Sequence, residues 1–315
     1  MNKKVVILGG GTGLSTLLRG LKQFPIDITA VVAVSDDGRS TGKLRQEFNV
    51  PAVGDIRQVI VALSETEPLV QKLLNYRFKT SSDLNGHALG NLLLTGLIEV
   101  AGDMSSGIES LGKILNLKGK VLPLTEDNVV LMAKMDDDAI IEGEHNITEY
   151  NGKIKEVFYK EEPHVLNEVV KETETADLII LSMGSLFTSI LPNLICKEIK
   201  KAIDNSKAEI MYICNIMTQP GETDKFKASD HVNTINNYLG NKKVSIILAN
   251  NGPITKKMKE KYANLEQKDP VVFDKQNLKN ICNKVIADNF VAVTDETLRH
   301  DIIKLGFHIY SYLMF

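Results

Sequence analysis

Short runs of β-branched and apolar residues alternate with amphipathic stretches along most of this chain. Val5-Val6-Ile7-Leu8, Ile28-Thr29-Ala30-Val31-Val32-Ala33-Val34, Leu178-Ile179-Ile180-Leu181 and the segments 209–214 and 244–249 are continuous apolar runs of strand length. Such runs mark strands buried on both faces of a parallel sheet. Val271-Val272-Phe273 and 290–293 read as two further strands, and helical spacing predicts helices at about 14–23, 55–64, 68–76, 88–100 and 108–115. A last helix is expected from Thr297 to about Tyr312. This succession predicts an α/β fold, a Rossmann-like, doubly wound and mostly parallel sheet, read as one domain over residues 1–315. Between about 120 and 160 the pattern loosens. Val121-Leu122-Pro123-Leu124, 129–135, Ile140-Ile141 and 154–159 read as short strands of a small antiparallel insertion, with Asn151-Gly152 as a hairpin turn. The run Asp136-Asp137-Asp138 between them reads as a solvated loop rather than a metal site.

The first strand runs straight into Gly9-Gly10-Gly11-Thr12-Gly13-Leu14-Ser15. Glycines let backbone approach an anion with no Cβ in the way, and the next helix aims its unpaired N–H groups at it. Gly10, Gly11, Thr12 and Gly13 are therefore candidate phosphate-binding residues. No Gly-Lys-Ser/Thr comes after them, which excludes the common NTPase loop, and the third glycine of the dinucleotide fingerprint is missing.

Ligands of doubly wound sheets bind beyond the carboxyl ends of the strands, so the residues just after each strand carry the chemistry. After the second strand comes Ser35-Asp36-Asp37-Gly38-Arg39-Ser40-Thr41-Gly42. Asp36 and Asp37 could hydrogen-bond a ribose, bind Mg2+ or orient an attacking hydroxyl. Asp55 reads as a helix N-cap and Arg57 as a phosphate clamp. His87 and Asn91, four apart, would share a helical face, with His87 an acid or base. Gly90 and Gly96 in the same helix read as close-packing positions. Ser182-Met183-Gly184-Ser185-Leu186-Phe187-Thr188 repeats the strand–turn–helix design, which makes Gly184, Ser185 and Thr188 a second anion loop. Asn215 and Thr218, after the strand ending at Cys214, have amide and hydroxyl groups suited to a base or sugar. His231 is explained by capping or packing.

Composition narrows the class. The 315 residues carry a formal charge of −3, which argues against nucleic-acid binding or a membrane surface held by bulk electrostatics. Cys196, Cys214 and Cys282 are far apart and odd in number, as expected of reduced thiols in a cytoplasmic protein. The most apolar later stretch, 88–102, is too short to span a bilayer. No redox cofactor and no membrane insertion are expected.

Taken in order, Gly9–Gly13, Ser35–Gly42, Gly54-Asp55-Ile56-Arg57, Gly86-His87-Ala88-Leu89-Gly90-Asn91, 184–194, 214–223 and Asp230-His231 closely resemble the gluconeogenesis factor family. This is the bacterial branch of the superfamily that contains 2-phospho-L-lactate transferase. The likeness covers nearly the whole length. Two positions depart from it: Ser182-Met183 replaces a Gly-Pro, and Asp37-Gly38-Arg39 replaces an Asp-Gly-Gly, adding a cation beside the acidic pair. The transferase relatives imply a Mg2+-dependent transfer from a guanosine-diphosphate-activated substrate, with Asp37 as the substrate-contacting aspartate. The bacterial branch instead implies a regulator that binds UDP-N-acetylglucosamine and supports growth and cell shape on gluconeogenic carbon sources. There Tyr262 and Arg299 match the residues implicated in sugar-nucleotide binding. Both readings stand on the sequence, with Asp36, Asp37 and His87 catalytic only in the first. The expected partners are a diphosphate nucleotide, in particular a UDP-sugar, and an unidentified protein, and the reading allows a homo-oligomer.

Overall fold

The computed structural model describes residues 2–315, the Arg39 side chain excepted. Twelve strands form three sheets: β1 (Lys4–Gly9), β2 (Asp27–Val32), β3 (Lys120–Pro123), β4 (Leu131–Met135), β5 (Ile140–Glu142), β6 (Ile154–Tyr159), β7 (Leu178–Leu181), β8 (Glu209–Ile213), β9 (Ile246–Asn250), β10 (Lys284–Asp288), β11 (Val291–Thr294) and β12 (Thr297–His300). The main sheet has seven strands in the order β10-β9-β8-β7-β1-β2-β3, and each neighbouring pair is parallel. From β1 the chain winds outward through β2 to β3, then returns to β7 and winds the other way to β10. The order therefore reverses between β1 and β7, and the crevice at their carboxyl ends is where such sheets hold ligands.

The apolar runs are buried because helices cover both faces of the sheet. Val5, Ile7 and Leu8 of β1 and all four residues of β7 are completely inaccessible. The helix Gly11–Leu21 lays Leu14, Leu17, Leu18 and Leu21 into the same core at 3–4-residue spacing. Cys196 and Cys214 are buried, as expected of apolar positions.

Several elements depart from the pattern read in the sequence. Val121 and Leu122 lie not in the insertion but in β3, where they pair with Ala30 and Val31 of β2 as an edge of the main sheet. The insertion is the three-stranded antiparallel sheet β5-β4-β6. Its tight turn is the acidic run, not Asn151-Gly152: Met135 N–H donates to the Ala139 carbonyl (2.9 Å) while Asp138 takes a left-handed φ of 66°. Asn151 and Gly152 lie instead between the helix Glu144–Glu149 and β6. Val271–Phe273 forms no strand, and Val272 makes only an isolated bridge to Lys227. That edge of the sheet belongs to β10, which is half-buried and flanked by Lys284 and Asp288, so it lacks a strong apolar signature. The last helix begins at Ile302, not Thr297, because Asp295 and Glu296 adopt φ of 49° and 53° and fold β11 and β12 into a hairpin. Asp301 then caps the helix by accepting from Lys304 N–H (3.0 Å). The helix Arg39–Phe48 starts immediately after Gly38, within the Ser35–Gly42 motif.

Candidate functional site

The glycine run turns at the switch point. β1 ends at Gly9, and the helix begins at Gly11, whose φ of 48° favours glycine. Gly10 at its N-cap offers no side chain, and the Gly11 N–H donates to the Asp55 carboxylate, so the Thr12 and Gly13 N–H groups are those left for a ligand. The second loop comes after β7. Its Ser185 hydroxyl accepts from Thr188 N–H (3.0 Å) and Thr188 Oγ1 (2.7 Å) at the start of a π-helical turn, Leu186–Ile190. Glu222 anchors that turn from below, accepting from Ser185 Oγ (2.6 Å) and Phe187 N–H (3.2 Å). Burial pushes the Glu222 carboxyl above its ordinary range. Asn215 holds the loop rather than reading a base: it accepts from Gly184 N–H (3.1 Å) and donates to the Gly184 carbonyl (2.6 Å). Asn193 Nδ2 donates to the Gly9 carbonyl (3.1 Å), tying the two loops together.

Over these loops opens a cleft of 450 Å3 that brings Thr12 and Gly13, Gly184 and Ser185, and Asn215 and Thr218 together with Tyr262 and Arg299. Tyr262 comes from the helix Lys256–Glu266, and Arg299 from β12, not from a helix. The two are coupled, since the Tyr262 hydroxyl accepts from Leu298 N–H (2.9 Å) and so fastens the hairpin that presents Arg299. Tyr262 is buried against Met258 and Leu298 and lines the cleft, and its hydroxyl keeps a proton to donate. His300 lies behind Arg299 and faces the Cys214 carbonyl at 3.1 Å. A carbonyl only accepts, so Nε2 carries the proton, and burial lowers the imidazole to about 4, keeping it neutral. Thr218 Oγ1 accepts from Asp269 N–H (2.9 Å) and shapes the wall of the cleft beside Lys268.

Beyond the loops a second cavity of 350 Å3 shares Thr12, Gly13, Gly184 and Ser185 with the cleft, and its far wall is acidic. Asp36, Asp55 and Glu144 line it. The Asp55 carboxylate lies against the glycine loop, 2.8 Å from where a Cβ on Gly11 would stand. Burial, and after it the charge of Asp36, raises Asp55 to about 8 and Glu144 to about 7. Asp36 is raised too, chiefly by burial, although its Oδ1 accepts from Gly38 N–H (3.0 Å). Three carboxyls displaced in this direction mark a centre short of positive charge. No three of the described His, Cys, Asp and Glu side chains converge as a complete metal cage. That donor set fits Mg2+, which takes one or two carboxylates and completes its shell with phosphate oxygens and water.

The structure corrects four readings of the sequence. Asp36, not Asp37, faces the cavity. Asp37 Oδ1 accepts from His145 N–H (2.8 Å) and thereby docks the insertion's short helix over the site. His87 precedes the helix Leu89–Ala101, with Nδ1 3.0 Å from Ser40 Oγ, and lines none of the described cavities. Arg57 and Asn91 do not line the cleft over the two loops: Arg57 Nε donates to Asn91 Oδ1 (2.8 Å), and Asn91 Nδ2 donates to Ser40 Oγ (3.3 Å). Asp55 does not cap its helix with its side chain, since Ala52 is the N-cap residue. The extra cation expected at Arg39 lies outside the described side chains. Glu144 and Lys268 carry no sequence signal of their own, and Glu222 entered only as part of the 214–223 motif. Glu144 enters only because the insertion folds back across the strand ends.

The family model for 2-phospho-L-lactate transferase CofD matches residues 5–291. The chain is 46% identical over 305 residues to a gluconeogenesis factor of Halalkalibacterium halodurans, covering 96% of this chain and 94% of that protein. It is also 46% identical to the gluconeogenesis factor of Bacillus subtilis over 304 residues, 96% of each. An X-ray crystal structure of a protein from Bacillus halodurans superposes with a TM-score of 0.95 at 46% identity, covering 98% of this chain and 99% of that one. The family match spans nearly the whole chain, so the chain belongs to the CofD family, among its gluconeogenesis factors.

Proposed function

We propose that this protein is a cytoplasmic regulator that binds a diphosphate sugar nucleotide, UDP-N-acetylglucosamine, and couples its level to growth and cell shape on gluconeogenic carbon sources through a protein partner. The cleft at the switch point carries the reading. The uncapped helix start of the glycine loop and the Gly184-Ser185 turn flank it on one side, and Tyr262 and a guanidinium on the other. The diphosphate would lie across Gly10–Gly13 and Gly184-Ser185, the base against Tyr262, and Arg299 would pair with phosphate oxygens in a charge-assisted bond. Mg2+ at Asp36 and Asp55 would neutralise the diphosphate from the far side. No described helix is long and apolar enough to cross a membrane.

The acidic wall supports a second reading, a Mg2+-dependent transferase. Carboxyls at about 7 and 8 are tuned to exchange protons near neutral pH. In that case Glu144 would take the proton of an acceptor hydroxyl, and an ion held by Asp36 and Asp55 would polarise the diphosphate.

Calorimetric titration with UDP-N-acetylglucosamine, UDP and GDP, each with and without Mg2+, separates the readings. The regulator predicts tight binding of the intact sugar nucleotide, recovered unchanged after incubation. Preference for GDP strengthened by Mg2+ favours the transferase, and no binding of any of the three overturns both. Arg299→Ala should weaken binding by roughly 1.5–3 kcal/mol, as expected for a lost charge-assisted pair, about 10- to 150-fold in Kd. Unchanged affinity in the folded variant would remove Arg299 from the site. Tyr262→Phe should also weaken binding, by about 1 kcal/mol, because Leu298 N–H loses its acceptor and the Arg299 hairpin loosens. An affinity equal to wild type would mean that the hairpin holds its place without that bond.

A further inference from the structure

A third cavity, of 250 Å3, lies on the other side of Asp36 from the nucleotide cleft and shares Asp36 and Gln58 with the acidic cavity. Two guanidiniums open onto it. Arg57 is only 4% exposed, and its bonds run to Asn91 and Asn75. Arg77 donates to the Gly86 carbonyl (2.9 Å). These acceptors are all neutral, and neither arginine is ion-paired among the described residues. Burial, followed by repulsion from Arg77, lowers Arg57 to about 10. The acidic groups on the cavity wall are Asp36, whose Oδ1 accepts from Gly38 N–H (3.0 Å) and which lines the acidic cavity as well, and the exposed Glu149. A desolvated guanidinium facing a second one is costly without an anion between them.

The backbone points the same way. The helices Arg39–Phe48, Val53–Leu63 and Leu89–Ala101 each place a first-turn residue on the wall: Ser40, Gly54 and Asn91. Their N-cap residues are Gly38, Ala52 and Ala88, and none supplies a side-chain cap. Three helix starts without side-chain caps therefore border one small polar cavity that also holds two arginines, the Leu89 N–H of the third being taken by the Tyr76 carbonyl (2.9 Å).

We propose that this cavity is a second, oxyanion subsite, which takes the phosphate group of a small polar co-ligand between Arg57 and Arg77 and directs the rest of that ligand toward Asp36. A forked guanidinium suits such an oxyanion better than a point charge. That the ligand is a second one rests on the nucleotide reading of the neighbouring cleft; the oxyanion subsite itself does not.

The test is thermal stability against inorganic phosphate and glycerol 3-phosphate, at ionic strength held constant with NaCl, with and without saturating UDP-N-acetylglucosamine. Wild type and Arg299→Ala should both be stabilised saturably. Arg77→Gln, at an exposed position that tolerates change, should raise the apparent Kd of the probe at least tenfold and leave the nucleotide Kd unchanged. A stronger response to the ester than to free phosphate marks a phosphate ester as the ligand, the reverse order marks free phosphate, and either supports the subsite. Stabilisation lost in Arg299→Ala but kept in Arg77→Gln would put the phosphate in the nucleotide's own diphosphate position and overturn the proposal. So would the absence of any response in wild type at tens of millimolar probe. Failure of UDP-N-acetylglucosamine to bind would remove the nucleotide reading while leaving the phosphate result to stand by itself.

Discussion

Gly13→Ala is expected to abolish nucleotide binding and to destabilise the protein by about 3 kcal/mol, the upper end for forcing a methyl into packed structure. A Cβ on Gly13 would stand 1.8 Å from the Met183 carbonyl oxygen and 2.9 Å from Gly184 Cα. Both neighbours are backbone, so no side chain can swing away. The methyl can be accommodated only by separating the first anion loop from the second, which are the two halves of the site. Gly96→Ala is the matched control. Gly96 lies inside the helix Leu89–Ala101 with nothing within 4 Å of its would-be Cβ, so it is not the close-packing position that the sequence suggests. There alanine should stabilise by about 0.5–1 kcal/mol through helix propensity alone. Gly90, six residues earlier, does pack closely: a Cβ there would stand 2.6 Å from the Leu74 carbonyl oxygen. Chemical denaturation of the two variants beside a nucleotide titration checks the pair. A Gly13→Ala protein with wild-type stability and affinity would mean that the loops do not meet.

The second large effect concerns pH. Asp55 is lifted from 3.8 to about 8, first by burial and then by Asp36, so the folded ligand-free protein keeps a proton that the unfolded chain releases near pH 4. The stability contributed by that proton is complete below about pH 4 and is lost as pH rises through 8. Glu144 acts with the same sign up to about pH 7. The melting temperature without divalent cations should therefore fall between pH 5 and pH 8.5. Mg2+ should restore more of it at pH 8.5 than at pH 5, where protons compete for the same carboxylates. Asp55→Asn keeps an acceptor for Gly11 N–H but carries no charge. It should stabilise the ligand-free protein at pH 8.5 by about 1–3 kcal/mol, change little at pH 5 and lose most of the Mg2+ response. Equal pH slopes for wild type and variant would show that Asp55 ionises as an ordinary carboxyl, and the cation site would lose its main support.

The paired carboxylates after the second strand illustrate where reading the sequence stops. Asp36-Asp37 identify the place, yet alternation alone does not say which faces the ligand. The answer depends on the helix Glu144–Glu149, more than a hundred residues away, whose His145 N–H takes Asp37 as its acceptor and leaves Asp36 to the cavity. Arg57 and Asn91 fall outside the cleft over the two loops for a similar reason. Both are polar residues at helix starts, as predicted, but those helices open onto a different cavity.

The order of buried strands, the glycine turn after β1 and the family are written in the sequence, because each rests on local spacing: β-branched runs, backbone without Cβ, contiguous motifs. A parallel α/β sheet results from those spacings by the handedness of its crossovers. The arrangement between distant segments was decided only by the tertiary structure. β10, and not the strand read at Val271–Phe273, became a sheet edge, the acidic wall assembled Asp36, Asp55 and Glu144 from three separate elements, and Tyr262 was fastened to the strand that carries Arg299. The charge state of a carboxyl is set by the groups packed around it in space, and which groups those are is a property of the folded chain.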